Sequence, residues 1–230
     1  MEDEMQRKYK KTFMRKLRWS DVYSARQISY LKYFAKSSNW SIRYDVAAAL
    51  ARCRQNFAEE ILYELLLDKD EYVREEAAEV IVNGKTERTL IRLRERMERE
   101  ENVPARAAIV RAYGHVYRNM QNPPMNENEF IQLMKKYIEQ EKEKCVRIVY
   151  LENLCIAEKT GYAELLIQEL SRSIMDEDFH YTFQIVECML NGLSDDQWSQ
   201  YMDEIMFLAR GIPSHFISRS KLENRLNLSK

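Results

Sequence analysis

The amino-acid sequence predicts an all-α chain, an α-α superhelix of about five to six helix pairs. Three observations predict it. A phrase recurs four times around Arg43, Arg74, Arg106 and Arg147, and these arginines lie 31, 32 and 41 residues apart. Self-similarity at such a period marks stacked repeats, each a supersecondary unit that buries its apolar face against its neighbours. Apolar residues within each phrase follow a helical period. Five glycines and four prolines in 230 residues are too few for the many tight turns of an all-β sandwich or barrel.

The four phrases open at Asn39, Asp70, Asn102 and Glu143. Three of these are strong N-cap types, whose side-chain oxygen accepts an unpaired amide of the first turn. At −1, +3, +4 and +7 from each arginine, one side of a helix carries Ile42, Val46, Ala47, Leu50; Val73, Ala77, Ala78, Ile81; Ala105, Ile109, Val110, Tyr113; and Val146, Tyr150, Leu151, Leu154. Every slot is apolar or aromatic. The arginine and the polar residue four before it can bond each other or the next repeat, so Arg43, Arg74, Arg106 and Arg147 are expected to form a structural ladder.

Second helices fill the gaps. Residues 57–67 carry Phe57, Ile61, Leu62, Leu65 and Leu66. Residues 86–97 begin on a capping threonine, Thr86. Asn126 and Glu129 form a capping box ahead of Phe130, Leu133 and Met134. Residues 163–170 repeat the design, and 22–35 precede the first phrase as its partner. Residues 1–20 read as a basic amphipathic capping helix with Met5, Tyr9, Phe13 and Leu17 four apart, and 21–230 as the superhelix, clear over 39–158 and degenerate over 159–230. In the degenerate part Thr182 stands where the arginine would be, Asn191-Gly192 reads as a C-cap, and Ser194 with Gln197 opens another helix. The connection 118–126, with Pro123-Pro124, could divide the superhelix into two rigid halves, but an insertion into a turn is the more ordinary reading.

The pattern polar-x-x-Val-Arg-x-x-Ala-Ala resembles HEAT repeats, of the short type also found in phycobilin lyases; Asp68-Lys-Asp70-Glu-Tyr-Val73-Arg74-Glu-Glu-Ala77-Ala78 matches it best. The resemblance implies an armadillo-like, right-handed solenoid in which the arginine opens the second helix of each pair and the second helices line a concave face. On that face the positions away from the core, at +1, +5 and +9, include Tyr44, Arg52, Glu75, Glu79, Arg111, His115 and Glu152. Their mixed charge suits a protein or peptide partner more than a phosphate groove. The expected function is therefore a non-enzymatic scaffold for protein binding.

Two other functions follow from resemblance alone. HEAT-like alkylpurine DNA glycosylases share the architecture and set a Trp and an Asp one turn apart beside a basic groove. The candidates here, Trp40 with Asp45 and Trp198 with Asp203, are five apart, which separates the side chains by about 140° around a helix. A net charge of −1 also argues against groove-wide phosphate contact, although Arg7, Lys8, Lys10, Lys11, Arg15, Lys16 and Arg18 offer a local basic face for nucleic acid or an anionic surface. A lyase-like chaperone for a tetrapyrrole protein is the third function.

No catalytic constellation is visible. His115, His180 and His215 are far apart and lack ligand-type spacing, so no metal or other cofactor is expected. Cys53, Cys145, Cys155 and Cys188 form no Cys-x-x-Cys pair. The charged N-terminus has no apolar stretch behind it, and no run approaches the roughly 20 residues of a membrane span. The reading is a cytoplasmic protein of open oligomeric state.

Overall fold

The computed structural model describes residues 17, 20–82, 84, 86–157 and 161–228. Among these residues lie thirteen α-helices and no strand. The expected N-terminal helix, apart from Leu17, lies outside the described residues. The chain forms two compact units, 1–124 and 125–230. Their boundary falls just after Pro123-Pro124, the connection whose more ordinary reading from sequence is an insertion into a turn.

The first unit holds α1 (Ala25–Phe34), α2 (Trp40–Ala49), α3 (Phe57–Leu65), α4 (Glu71–Ile81), α5 (Glu87–Met97) and α6 (Val103–Asn119). They form three consecutive pairs, and the second member of each carries a repeat arginine. The N-caps explain where these second helices begin. Asn39, Asp70 and Asn102 each accept a first-turn amide, from Ser41, Tyr72 and Ala105. Thr86 caps α5 through the Thr89 amide. The arginine helices pack side by side, α2 on α4 and α4 on α6, whereas α3 and α5 touch only lightly. The slots at −1, +3, +4 and +7 are all buried in this unit except Ile42, which is half-buried. No earlier arginine helix exists among the described residues to cover the flank of α2.

The second unit holds α7 (Glu127–Gln140), α8 (Lys144–Ala157), α9 (Tyr162–Met175), α10 (Phe179–Gly192), α11 (Asp195–Gln200), α12 (Met202–Gly211) and α13 (Ile217–Leu228). Capping boxes start α7 at Asn126 with Glu129 and α11 at Ser194 with Gln197. Asp178 caps α10 four residues before Thr182, so the repeat register survives the loss of the arginine. Thr182 is buried, and its hydroxyl meets Ser173 Oγ at 2.9 Å. Gly192 is helical and buried rather than a left-handed cap. A Cβ there would lie 3.3 Å from both Cα and the carbonyl oxygen of Glu152, so glycine is what lets α10 approach α8 this closely.

Candidate functional site: the arginine ladder and the exposed face of the arginine helices

Each repeat arginine folds back on its own turn. Nη1 of Arg43, Arg74, Arg106 and Arg147 donates to the carbonyl six residues earlier, of Ser37, Asp68, Glu100 and Glu141, at 2.8, 2.9, 2.8 and 3.4 Å. At Arg43 and Arg74 the rest of the guanidinium reaches the next repeat. Arg43 donates from Nε and Nη2 to the two carboxylate oxygens of Asp68, both at 2.6 Å. Arg74 does the same to Glu100, at 2.7 and 2.8 Å.

Asp68 and Glu100 are therefore double-sided. The carbonyl of each holds the arginine of its own repeat and its carboxylate holds the arginine of the repeat before. The carboxylate also accepts the amide two residues on: Asp68 from Asp70 and Glu100 from Asn102. The sequence left two partners open, the N-cap residue at −4 and the next repeat. The N-cap side chains of α2 and α4 are occupied by first-turn amides, and Arg43 and Arg74 bond the next repeat, at the carboxylate six residues before its arginine. The missed signal was legible: Asp68, Glu100 and Glu141 stand six before three of the four arginines.

Burial makes these rungs rigid. Glu100 is only 3% exposed and also takes two hydrogen bonds from Arg96. Burial opposes its ionisation, but the donors Arg74, Arg96 and the Asn102 amide outweigh burial and hold the carboxyl at about 2, against an ordinary 4.5. The Asp68 carboxyl is lowered too, burial being outweighed by Arg43 and the Asp70 amide. A carboxyl held below its unfolded value stabilises the fold above that value and loses the contribution as pH falls through the folded one. The first unit is expected to weaken between about pH 4.5 and 2. Urea midpoints measured down to pH 2.5 should fall less steeply in Glu100→Gln than in the parent.

The ladder fades in the second unit. Arg147 is exposed and reaches the carbonyls of Ile138 and Glu141. Lys144 supplies a different rung, to Asp178 at 2.5 Å, and its ammonium lies 4.4 Å from the Tyr181 ring centroid.

The residues expected on the partner face have separate fates. Tyr44 and Glu75 are half-buried on α2 and α4, and Glu79 is exposed. Arg52 is exposed but not helical in the α sense: α2 ends at Ala49 and a 3₁₀ turn, Leu50–Arg52, follows. Arg111 and His115 are half-buried on α6. Burial first, then Arg118 and Arg111, lower the His115 pKa to about 4, so this imidazole is neutral at pH 7. Glu152 is fully buried, because α10 covers it at Gly192, and it is no surface residue.

Sequence reasoning missed the feature that dominates this face. Trp40 and Tyr72, in the first turns of α2 and α4, are 46% and 55% exposed, and their ring centroids lie 5.6 Å apart. Trp198, by contrast, is wholly buried under the Arg225 guanidinium, 5.4 Å above its ring, while Asp203 is exposed. That pair lines no groove of the glycosylase kind. A cleft of about 670 Å³ opens elsewhere in the first unit, among Arg54, Glu59, Glu60, Tyr63, Thr86 and Arg88. Its charges alternate and Tyr63 is engaged there, with its hydroxyl 2.6 Å from Thr89 Oγ1. Among the described residues no group of three or more His, Cys, Asp or Glu is placed to hold a metal ion, and no helix is long and apolar enough to cross a membrane.

Paired helices stacked on a common arginine define a helical-repeat protein. A family model of HEAT repeats matches residues 28–114, which take in Arg43, Arg74 and Arg106. These residues carry HEAT repeats. HEAT repeats are generally protein-interaction scaffolds. No curated protein and no solved structure matches the chain.

Proposed function

We propose that the chain is a non-enzymatic scaffold that binds a protein or peptide partner on the concave face of its first unit. The observation that carries this reading is the exposed Trp40–Tyr72 pair on adjacent repeats. Large aromatics are enriched at protein interfaces because they bury much area at little entropic cost. The close packing of α2, α4 and α6 beside the lightly touching α3 and α5 supports concavity on the arginine side, since a stack curves towards its tighter layer. Tyr44, Glu75 and Glu79 extend the same face. Four free thiols, three of them buried, fit a reducing compartment such as the cytoplasm.

A photoreactive cross-linker in place of Tyr72 tests the reading in the native cell. A protein adduct is expected there and is expected to vanish with Trp40→Ala. The same cross-linker at Ile91, exposed on α5, should trap none of that protein. An adduct at position 91 and none at 72 would put the partner on the other side of the stack.

A further inference from the structure

We propose that the aromatic pair Trp40–Tyr72 and the carboxylates of Glu75 and Glu79 together take a basic protein segment, rich in lysine or arginine. This rests on the reading above and gives the partner its chemistry. Consider first the rings. Trp40 and Tyr72 come from consecutive repeats and meet at 35° between their planes, with about half of each in water. Ring faces attract cations, tryptophan most strongly. Elsewhere the chain satisfies that attraction internally: Arg26 lies over Tyr30, Arg88 over Tyr63, Lys144 over Tyr181 and Arg225 over Trp198. Among the described residues no cation lies over Trp40 or Tyr72.

Charge says what covers the rings. Glu75 and Glu79 follow Tyr72 by three and seven residues, on the same stripe of α4. They stand four apart, a spacing at which like charges repel. Neither has an ion pair or hydrogen bond among the described residues. Glu95 on α5 and Glu98 at its C-cap are neutralised locally instead, by Arg92 and Arg94. Burial, with Glu79 and Glu76 adding to it, raises the Glu75 pKa, as a half-buried acid without a cation requires. An incoming ammonium or guanidinium relieves the repulsion and covers the rings at once. Nucleic acid or an anionic membrane would bring phosphate against carboxylate.

The test is fluorescence anisotropy of a labelled peptide of alternating lysine and glycine, titrated with the full chain, beside its glutamate counterpart. The lysine peptide should bind and the glutamate peptide should not. Glu75→Gln with Glu79→Gln should weaken binding about tenfold or more, a difference of about 1.4 kcal/mol, and Trp40→Ala comparably. Glu95→Gln with Glu98→Gln, the same change of charge on α5, should leave binding within about twofold. Equal weakening by both glutamine pairs would reduce the effect to net charge and overturn the proposal. If the first pair changes nothing while Trp40→Ala still abolishes the Tyr72 cross-link, the basic character fails and the interaction face stands. If neither matters, both readings fall. A concentration-dependent rise in the mass of the protein alone, abolished by the first pair, would assign the face to a second copy and overturn the basic-partner assignment.

Discussion

Glu100→Ala is expected to cost the first unit about 3–5 kcal/mol, the range seen when one partner of a buried ion pair is removed. The carboxylate is buried and takes four side-chain hydrogen bonds, two from Arg74 and two from Arg96. Deleting it leaves two guanidinium groups against the protein, with side chains only 11% and 20% exposed, and orphans the Asn102 amide. The loss falls between repeats, since Arg74 belongs to α4 and Glu100 to the turn before α6. Arg94→Ala is the contrast. Its pair with Glu98 is 3.5 Å long with both side chains nearly half exposed, and such pairs contribute under about 1 kcal/mol. Thermal unfolding checks both. A shift of about 4 °C per kcal/mol is expected for a unit of this size, and equal shifts for the two variants would show that Glu100 is no rung between repeats.

The second large effect separates two tryptophans. Trp198→Ala should destabilise the second unit by about 3–5 kcal/mol, the usual range for truncating a buried tryptophan. Its side chain is wholly buried, and the Arg225 guanidinium above it loses its ring. Trp40→Ala removes a half-exposed ring and one aromatic contact, worth about 1 kcal/mol, yet should abolish partner binding at the Tyr72 face. Denaturant midpoints and the cross-linking assay together give the answer. A stable Trp198→Ala, or a Trp40→Ala that binds normally, contradicts these assignments.

The helical period was legible because it is local. Val46, Ala77, Ile109 and Leu154 are buried where the arginine register put them, and Thr86, Asn126 and Ser194 cap where their side chains can reach the first turn. What escaped was long-range. The guanidinium of Arg43 chooses between an N-cap four residues back and a carboxylate 25 residues ahead, and only packing brings Asp68 within 2.6 Å. Glu152 sits at an outward position by period, but whether a later helix covers it depends on Gly192, forty residues on. Trp40 and Tyr72 occupy different positions of the repeat, at −3 and −2, so alignment of the phrases hid a pair that forms only between helices. Arg52 was projected along a helix that ends at Ala49.

Consecutive repeats are locked by a shared carboxylate, and a double-mutant cycle on Arg74 and Glu100 is the decisive experiment. Stability is measured for the parent, Arg74→Ala, Glu100→Ala and the double variant. A coupling of about 2 kcal/mol or more is predicted, because residues sharing a buried charged hydrogen-bond pair do not act independently. Additivity within about 0.5 kcal/mol would contradict it.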